Sequence, residues 1–160
     1  VTGTRTDNYD IAILDGTLDV TRAPLELTVN DATKTYGTAL AFDGTEFTVT
    51  GGALFFADSV DSIGIASAGA AADAQVADGP FAITGSAPVT GTRTDNYDIA
   101  ILDGTLDVTR APLELTVNDA TKTYGTALAF DGTEFTVTGG ALFFADSVDS
   151  IGIASAGAAA

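Results

Sequence analysis

Oxygen-bearing side chains crowd the stretch Asp95-Asn96-Tyr97-Asp98, where a divalent cation could find ligands. Ca²⁺ is held by roughly six to eight oxygens, mostly from carboxylates, amides and backbone carbonyls. Asp31, in a separate turn, would add a further carboxylate if the fold brought it alongside. The same residue types are also ordinary turn formers. We favour that interpretation, so Ca²⁺ stays a weakly supported alternative and no metal-ligating residue is assigned.

Lys34 is the only lysine between residues 23 and 110. A lysine buried beside Asn96 and a carboxylate could form an intramolecular isopeptide bond, as some surface-protein domains do. The favoured alternative is that Lys34 lays its aliphatic stem on the surface and keeps its ammonium group in water.

Histidine and cysteine are absent from the sequence. This excludes a Ser-His-Asp triad, thiolate metal sites and disulfide bonds. The glycine pairs form no phosphate-binding loop, and no serine lies in a nucleophile elbow. We therefore assign no catalytic or cofactor-binding residue and expect a protein that is not an enzyme and needs no cofactor.

The sequence is a tandem repeat. Residues 1–72 recur without change as residues 89–160, so the period is 88 residues. A period of this length is too long for one coil of a solenoid and suits one small globular domain per repeat. The 88-residue repeat is therefore the structural unit, and its strands and turns would have to position any site.

An Ala-Pro step at each Thr-Arg-Ala-Pro sequence supplies a natural boundary, because proline interrupts strand pairing. With this boundary, residues 23–110 form one complete repeat. Residues 1–22 are expected to be the C-terminal hairpin of a preceding repeat, and residues 111–160 the N-terminal part of the following one. The alternative is a domain that begins near Val1, with the Ala-Pro step inside it, so that the chain holds one full copy and most of a second.

The stretch Tyr97–Pro112 reads as a β-hairpin around Asp103-Gly104, a favoured pair for a two-residue type I′ turn. In the resulting register, one face of the hairpin is apolar and should be buried: Ile99, Ile101, Leu106 and Val108. The opposite face carries Asp98, Ala100 and Asp107 and should face solvent.

Period-2 alternation recurs along the rest of the repeat, as in Leu25-Glu26-Leu27-Thr28-Val29 and Phe47-Thr48-Val49. About seven short strands separated by turn residues predict an all-β fold. We expect tandem small β-sandwich (Ig-like) modules in an elongated array, with a β-grasp-like module as the alternative. A hydrophobic fraction of 46% excludes a disordered chain.

Several motifs of the repeat resemble the MBG-type tandem repeat domains of large bacterial surface adhesins. The clearest is Lys34-Thr35-Tyr36-Gly37, which follows a Leu-Glu-Leu-Thr-Val strand. The others, in unbroken order, are Phe47…Gly52-Ala53-Leu54…Asp58-Ser59-Val60, Ser67-Ala68-Gly69, Phe81-Ala82-Ile83-Thr84, Asn96-Tyr97-Asp98-Ile99 and Asp103–Thr109. The signature positions resemble packing and turn residues, so the resemblance implies no site.

The resemblance implies a non-enzymatic structural stalk or spacer repeat of an extended extracellular adhesin or fibre, on the bacterial cell surface or in a biofilm matrix. The alternative is a repeated binding module that recognises glycan or protein through avidity. A formal charge of −16 argues against nucleic acid and anionic lipid as partners. No apolar run is long enough for membrane insertion.

Neighbouring identical repeats are the expected partners, along with an unidentified host or matrix ligand. Because residues 1–22 copy residues 89–110, they could complete residues 111–160 of another chain. We therefore expect head-to-tail, fibre-like assembly, since such a contact does not close on itself.

Overall fold

The computed structural model describes residues 1–159, and within them the fold is all-β, with only single-turn 3₁₀ helices. The described residues contain nine strands: β1 (Ala23–Val29), β2 (Ala32–Thr35), β3 (Phe47–Gly52), β4 (Ser59–Ala66), β5 (Phe81–Thr92), β6 (Tyr97–Leu102), β7 (Gly104–Thr109), β8 (Leu113–Val117) and β9 (Phe135–Gly140).

Strands β1 to β7 form two sheets that share one core. The first sheet has the order β3-β1-β6 and the second β2-β7-β5-β4. Strand β1 runs antiparallel to β3 and parallel to β6, and β7 runs parallel to β2 and antiparallel to β5. Each sheet therefore mixes short local pairings with partners far away in sequence.

Alternation along the strands decides which side chains enter the core. On β1, Leu25, Leu27 and Val29 are buried while Glu26 and Thr28 are partly exposed, as a half-buried strand requires. The core draws on both sheets and consists of Leu25, Leu27, Val29, Ile63, Ile83, Tyr97 and Leu106.

The predicted hairpin around Asp103-Gly104 is wrong. Strand β6 pairs with β1 in one sheet, whereas β7 pairs with β2 and β5 in the other. Gly104 is the buried first residue of β7, and a Cβ there would lie 2.5 Å from the Val29 carbonyl oxygen. The glycine thus permits a close backbone approach where the chain crosses between sheets.

The predicted inward and outward faces are nevertheless correct. Leu106 and Val108 are buried on β7, and Ile99 and Ile101 are half-buried on β6. They point into the same core from opposite sheets. Alternation therefore predicted burial correctly although the pairing partner was different.

The flanking segments lack the partners that β1 to β7 supply to one another. Residues 1–22, all of them described, contain one 3₁₀ turn and no strand, so the hairpin predicted there is absent. Beyond residue 110, β8 and β9 pair antiparallel with the register of β1 and β3, as in Val117↔Phe135 and Val29↔Phe47.

Candidate functional site: the contact between two repeats

The turn that follows β2 carries the Tyr36-Gly37 pair outward from the complete repeat. The Thr38 amide and hydroxyl both donate to the Thr35 carbonyl, at 3.1 Å and 2.6 Å. Gly37 has φ +88°, a conformation that L side chains rarely adopt. We call this element, Tyr36 and Gly37, the Tyr-Gly turn.

The partner of the Tyr-Gly turn lies in the next repeat. Phe143, Phe144 and Asp146 form a tight turn in which the Asp146 amide donates to the Phe143 carbonyl at 3.0 Å. We call this element, and its copy at Phe55, Phe56 and Asp58, the Phe-Phe turn.

Tyr36 makes three contacts with this second element. Its ring meets those of Phe143 and Phe144 edge to face, with centroids 6.0 Å and 5.9 Å away. Its hydroxyl donates to Asp146 Oδ2 at 2.8 Å. Edge-to-face pairs are a favoured aromatic geometry and fix orientation as well as proximity. The contact therefore sets how two consecutive repeats sit against each other.

Gly37 makes the contact possible by having no side chain. A Cβ at this position would lie 2.4 to 2.6 Å from carbon atoms of the Phe143 ring. The ring therefore packs directly on the glycine backbone, and any larger residue would push the two repeats apart.

The hydrogen bond to Asp146 raises the pKa of the Tyr36 hydroxyl above its ordinary value of 10.0, and burial adds to the shift. A raised pKa means that the contact favours the protonated phenol. The hydrogen bond therefore stabilises the contact between the repeats fully below pH about 10, and this stabilisation is lost as the pH rises through the raised pKa of Tyr36.

We expect the junction to open in alkali, because a Tyr36 phenolate would face the Asp146 carboxylate. Small-angle scattering at pH 8 and at about pH 11 should show the repeats becoming independent at the higher pH. The Tyr36→Phe variant keeps the ring and loses the hydroxyl, so its scattering should not respond to alkali in this way. An equal response in that variant would contradict the assignment.

In the complete repeat, Tyr97 supports the Phe-Phe turn from within. Its buried hydroxyl accepts from the Phe55 amide and donates to Asp58 Oδ2, both at 2.8 Å. Burial raises the pKa of Tyr97, and the Asp58 hydrogen bond does so further. The Arg93 guanidinium forms an ion pair with Asp58, with Nη1 3.4 Å from Oδ1. Tyr97 is thus a positioning residue for the exposed rings.

The acidic residues considered as calcium ligands do not come together. Tyr97 pairs with Ala23, the first residue of β1, so Asp95 and Asn96 lie near the start of that strand. Asp31 follows the opposite end of β1, after Val29. The carboxylate of Asp31 accepts from the Thr105 hydroxyl and amide, at 2.8 Å and 2.7 Å, which lowers its pKa. Among residues 1–159, no cluster of three potential metal-ligating side chains is found.

Lys34 is neither on the surface nor beside Asn96. Its residue is only 7% exposed, and Nζ donates to the backbone carbonyls of Thr38 and Ala71, at 3.0 Å and 2.5 Å. The lysine therefore fastens the turn after β2 to the alanine-rich loop. This fastening holds the base of the Tyr-Gly turn.

We expect Lys34→Ala to destabilise the complete repeat by about 1–3 kcal/mol, because two carbonyl groups would lose their donor. Urea unfolding followed by circular dichroism measures the change. Lys122→Ala is the matched control: it removes the copy 88 residues later, where the side chain is exposed. Equal losses for both variants would contradict the role given to burial.

Together these features define an all-β repeat unit whose contact surfaces lie at its turns. The family model described as MBG domain (YGX type) matches residues 25–107, and the chain belongs to that family. Searches of curated proteins and of solved structures returned no match. The family assignment confirms the resemblance drawn from the Lys34–Gly37 motif.

Proposed function

We propose that the chain is part of a non-enzymatic structural stalk or spacer in an extended extracellular adhesin or fibre. Each repeat would be a small Ig-like β-sandwich in an elongated array. The observation that carries the proposal is the contact of Tyr36 and Gly37 with the next repeat. The signature residues are used to orient a neighbour, which is what a spacer requires.

The dimensions of the unit suit this role. Strand β5 has 12 residues and spans about 40 Å when extended. Consecutive units joined by ring contacts, a glycine and a short proline-containing link have little freedom to bend. A row of such units would project a terminal domain away from a surface or multiply a weak contact along its length.

The surface chemistry supports an extracellular setting. MBG domains are typical of extracellular surface proteins, and a net charge of −16 keeps the surface solvated. Within residues 1–159, no helix combines the length and apolar character needed to cross a bilayer.

Small-angle X-ray scattering on arrays of two, four and six 88-residue repeats tests the spacer role. The maximum dimension should grow in proportion to the number of repeats, by roughly 30–40 Å for each. Arrays carrying Tyr36→Ala in every repeat serve as the control and should be shorter and more flexible. Compact arrays whose length does not follow the repeat number would overturn the proposal.

A second candidate function is a binding module that recognises glycan or protein through avidity. The exposed rings of Phe55 and Phe56 favour it, because exposed aromatic side chains are common in recognition surfaces. However, the equivalent rings Phe143 and Phe144 contact Tyr36. In an array the rings would be used between repeats, and this favours the spacer.

A further inference from the structure

Strand β3 lies at one edge of the first sheet, and within residues 1–159 it pairs with β1 alone. The Asn30 amide donates to the Glu46 carbonyl at 2.9 Å, so Glu46 and Thr48 direct their backbone groups toward β1. Since successive residues of an antiparallel strand alternate, the amide and carbonyl of Val49 point away from the sheet. A further strand could pair with β3 along this edge.

The two copies of this strand show that neighbouring repeats leave the edge open. β3 has the following repeat beside its own repeat, and β9 has the preceding repeat beside its own. In the described part of the chain, β9 pairs only with β8. The equivalent side chains Val49 and Val137 are each 40% exposed. Neither neighbour therefore covers the strand.

Exposed edges are usually protected by charge, by proline, by shortness of the strand or by a covering segment. The other edges of the two sheets in the complete repeat have such protection. β2 has four residues and includes Lys34, and β6 carries the exposed Asp98. β4 is covered at Ile63, whose amide donates to the Gly44 carbonyl at 3.0 Å. β3, in contrast, consists of uncharged residues other than proline and is suited to receive a strand.

We propose that β3 binds an extended, cationic peptide segment of a partner protein, which joins the three-stranded sheet as a further strand. In this mode of recognition, backbone hydrogen bonds supply affinity and alternate side chains supply specificity. The segment would carry lysine or arginine at alternate positions, with apolar residues between them. This binding function goes beyond the spacer role and does not use the contact between repeats.

The outer face beside the edge supplies a negative charge. A β-bulge in β3 places Thr50 as an extra residue between the pairs Leu27↔Val49 and Glu26↔Gly51. A Cβ on Gly51 would lie 3.0 Å from the Glu26 Cβ, so Gly51 faces the same side as Glu26. The Thr50 hydroxyl donates to Glu26 Oε1 at 2.9 Å and orients the carboxylate. A basic side chain of the added strand could reach this carboxylate across the glycine.

A groove continues from Gly51 across the outer face of the sheet. Its volume is about 360 Å³, and the two glycines Gly51 and Gly52 line its β3 side. Both charged residues that line it are acidic, Glu26 on β1 and Asp98 on β6. A long cationic side chain matches this combination of glycine backbone and two carboxylates, because its charge complements theirs.

The inner face of the same edge suits an apolar side chain. Val49 lies on the core side, opposite Leu27, which is 0% exposed. Val49 itself remains 40% exposed, so the margin of the core is uncovered at this edge. Side chains of an added strand alternate between the two faces. Basic residues on the outer face and apolar residues on the inner face would therefore match both surfaces at once.

Two properties disfavour a second copy of this chain as the added strand. The formal charge of −16 makes two copies repel each other, whereas the same charge attracts a basic segment. The bulge at Thr50 also interrupts the regular ladder that two copies of β3 would need, and bulges at edges act against pairing between equal strands. A short basic peptide needs regular pairing only around Val49.

Calorimetric titration of the 160-residue chain with a capped peptide of about seven residues, in which lysine alternates with valine, tests the proposal. Because β9 presents the same edge, each change is made in both copies. Val49→Pro with Val137→Pro removes the outward amides, which an edge strand tolerates, and should weaken binding about tenfold or more. Glu26→Gln with Glu114→Gln removes the charge and should weaken binding and reduce its dependence on salt.

Hydrogen exchange shows whether the peptide adds as a strand. The Val49 amide should exchange rapidly in the chain alone and become protected when the peptide binds. The Thr48 amide, which faces β1, should be protected in both states. Binding that leaves the exchange of the Val49 amide unchanged would overturn the inference.

Asp107→Asn with Asp19→Asn is the matched control for charge. Both residues are exposed, and Asp107 lies on β7 in the other sheet, so peptide affinity should be nearly unchanged. An equal loss of affinity in this control and in Glu26→Gln would mean general attraction to an acidic surface and would overturn the inference. So would absence of binding at about 1 mM peptide, or equal binding of a peptide with glutamate in place of lysine.

Circular dichroism establishes that each variant is folded. If Val49→Pro is unfolded, Val49→Lys replaces it, because a lysine at an edge strand repels a cationic peptide and is a common protection against pairing. Unchanged affinity in a folded variant of either kind would overturn the inference. The lengths of the covalent arrays test the spacer role separately, so either conclusion can fail without the other.

Discussion

Leu106→Asp is expected to unfold the complete repeat. Leu106 is 0% exposed and lies on β7 between β2 and β5, opposite Ala32 and Phe81. A carboxylate at this position would have no partner, and burying such a charge costs several kcal/mol. This cost is comparable to the total free energy of unfolding of a small domain, typically about 5–15 kcal/mol. Circular dichroism should show loss of the strand signal at room temperature.

The repeat supplies a control with the same residue in the same local sequence. Leu18 is the copy of Leu106 and is 89% exposed. Leu18→Asp should therefore leave the urea midpoint of the complete repeat unchanged. The milder Leu106→Ala should lower the free energy of unfolding by about 2–5 kcal/mol. Similar midpoints for the Leu18 and Leu106 variants would mean that the core has been assigned incorrectly.

This pair of leucines also shows what the sequence could predict. Alternation identifies Leu106 and Val108 as inward-facing wherever the strand pairs, because successive side chains point to opposite faces. It does not identify the pairing partner. Asp103-Gly104 fits a tight turn locally, but β6 and β7 each have other partners, and the pairing with β1, β2 and β5 determines the fold.

The same limit applies to the contact between repeats. The Lys34–Gly37 motif could be recognised from sequence, but its partner could not. Phe55 and Phe143 have identical sequence surroundings, but Phe143 is the copy that packs on Tyr36. The sequence alone therefore could not show which copy contacts a neighbouring repeat. The available signal for this contact was the pair of adjacent phenylalanines next to polar turn residues. In so short an apolar run, however, the alternation of side chains did not show which face each ring takes.

Acidic side chains accept hydrogen bonds from backbone amides in the turn that precedes β3. Glu46 accepts from the backbone amides of Asp43 and Gly44, each at 3.0 Å, and Asp43 accepts from Thr45. The Thr45 hydrogen bonds lower the pKa of Asp43. Glu134 and Asp131 repeat the arrangement in the next repeat. Part of the negative charge thus satisfies backbone donors of tight turns.

Gly37→Asn should open the contact between the two repeats. Asparagine tolerates positive φ better than other side chains, so the turn itself should survive. Its Cβ, however, would lie 2.4 to 2.6 Å from the Phe143 ring, which forces the repeats apart. Loss of the two ring pairs should reduce the docked population by about tenfold or more.

Distances between two spin labels measure this opening directly, and the absence of native cysteine allows labels at introduced cysteines. Ala100 and Ala154 are exposed and lie in different repeats. The unmodified chain should give a narrow distance distribution, and Gly37→Asn a broad one. Gly125→Asn makes the same change in the free copy, where nothing lies within 4 Å of the added Cβ, and should keep the narrow distribution. A narrow, unshifted distribution in Gly37→Asn would show that the Tyr-Gly turn does not hold the repeats together.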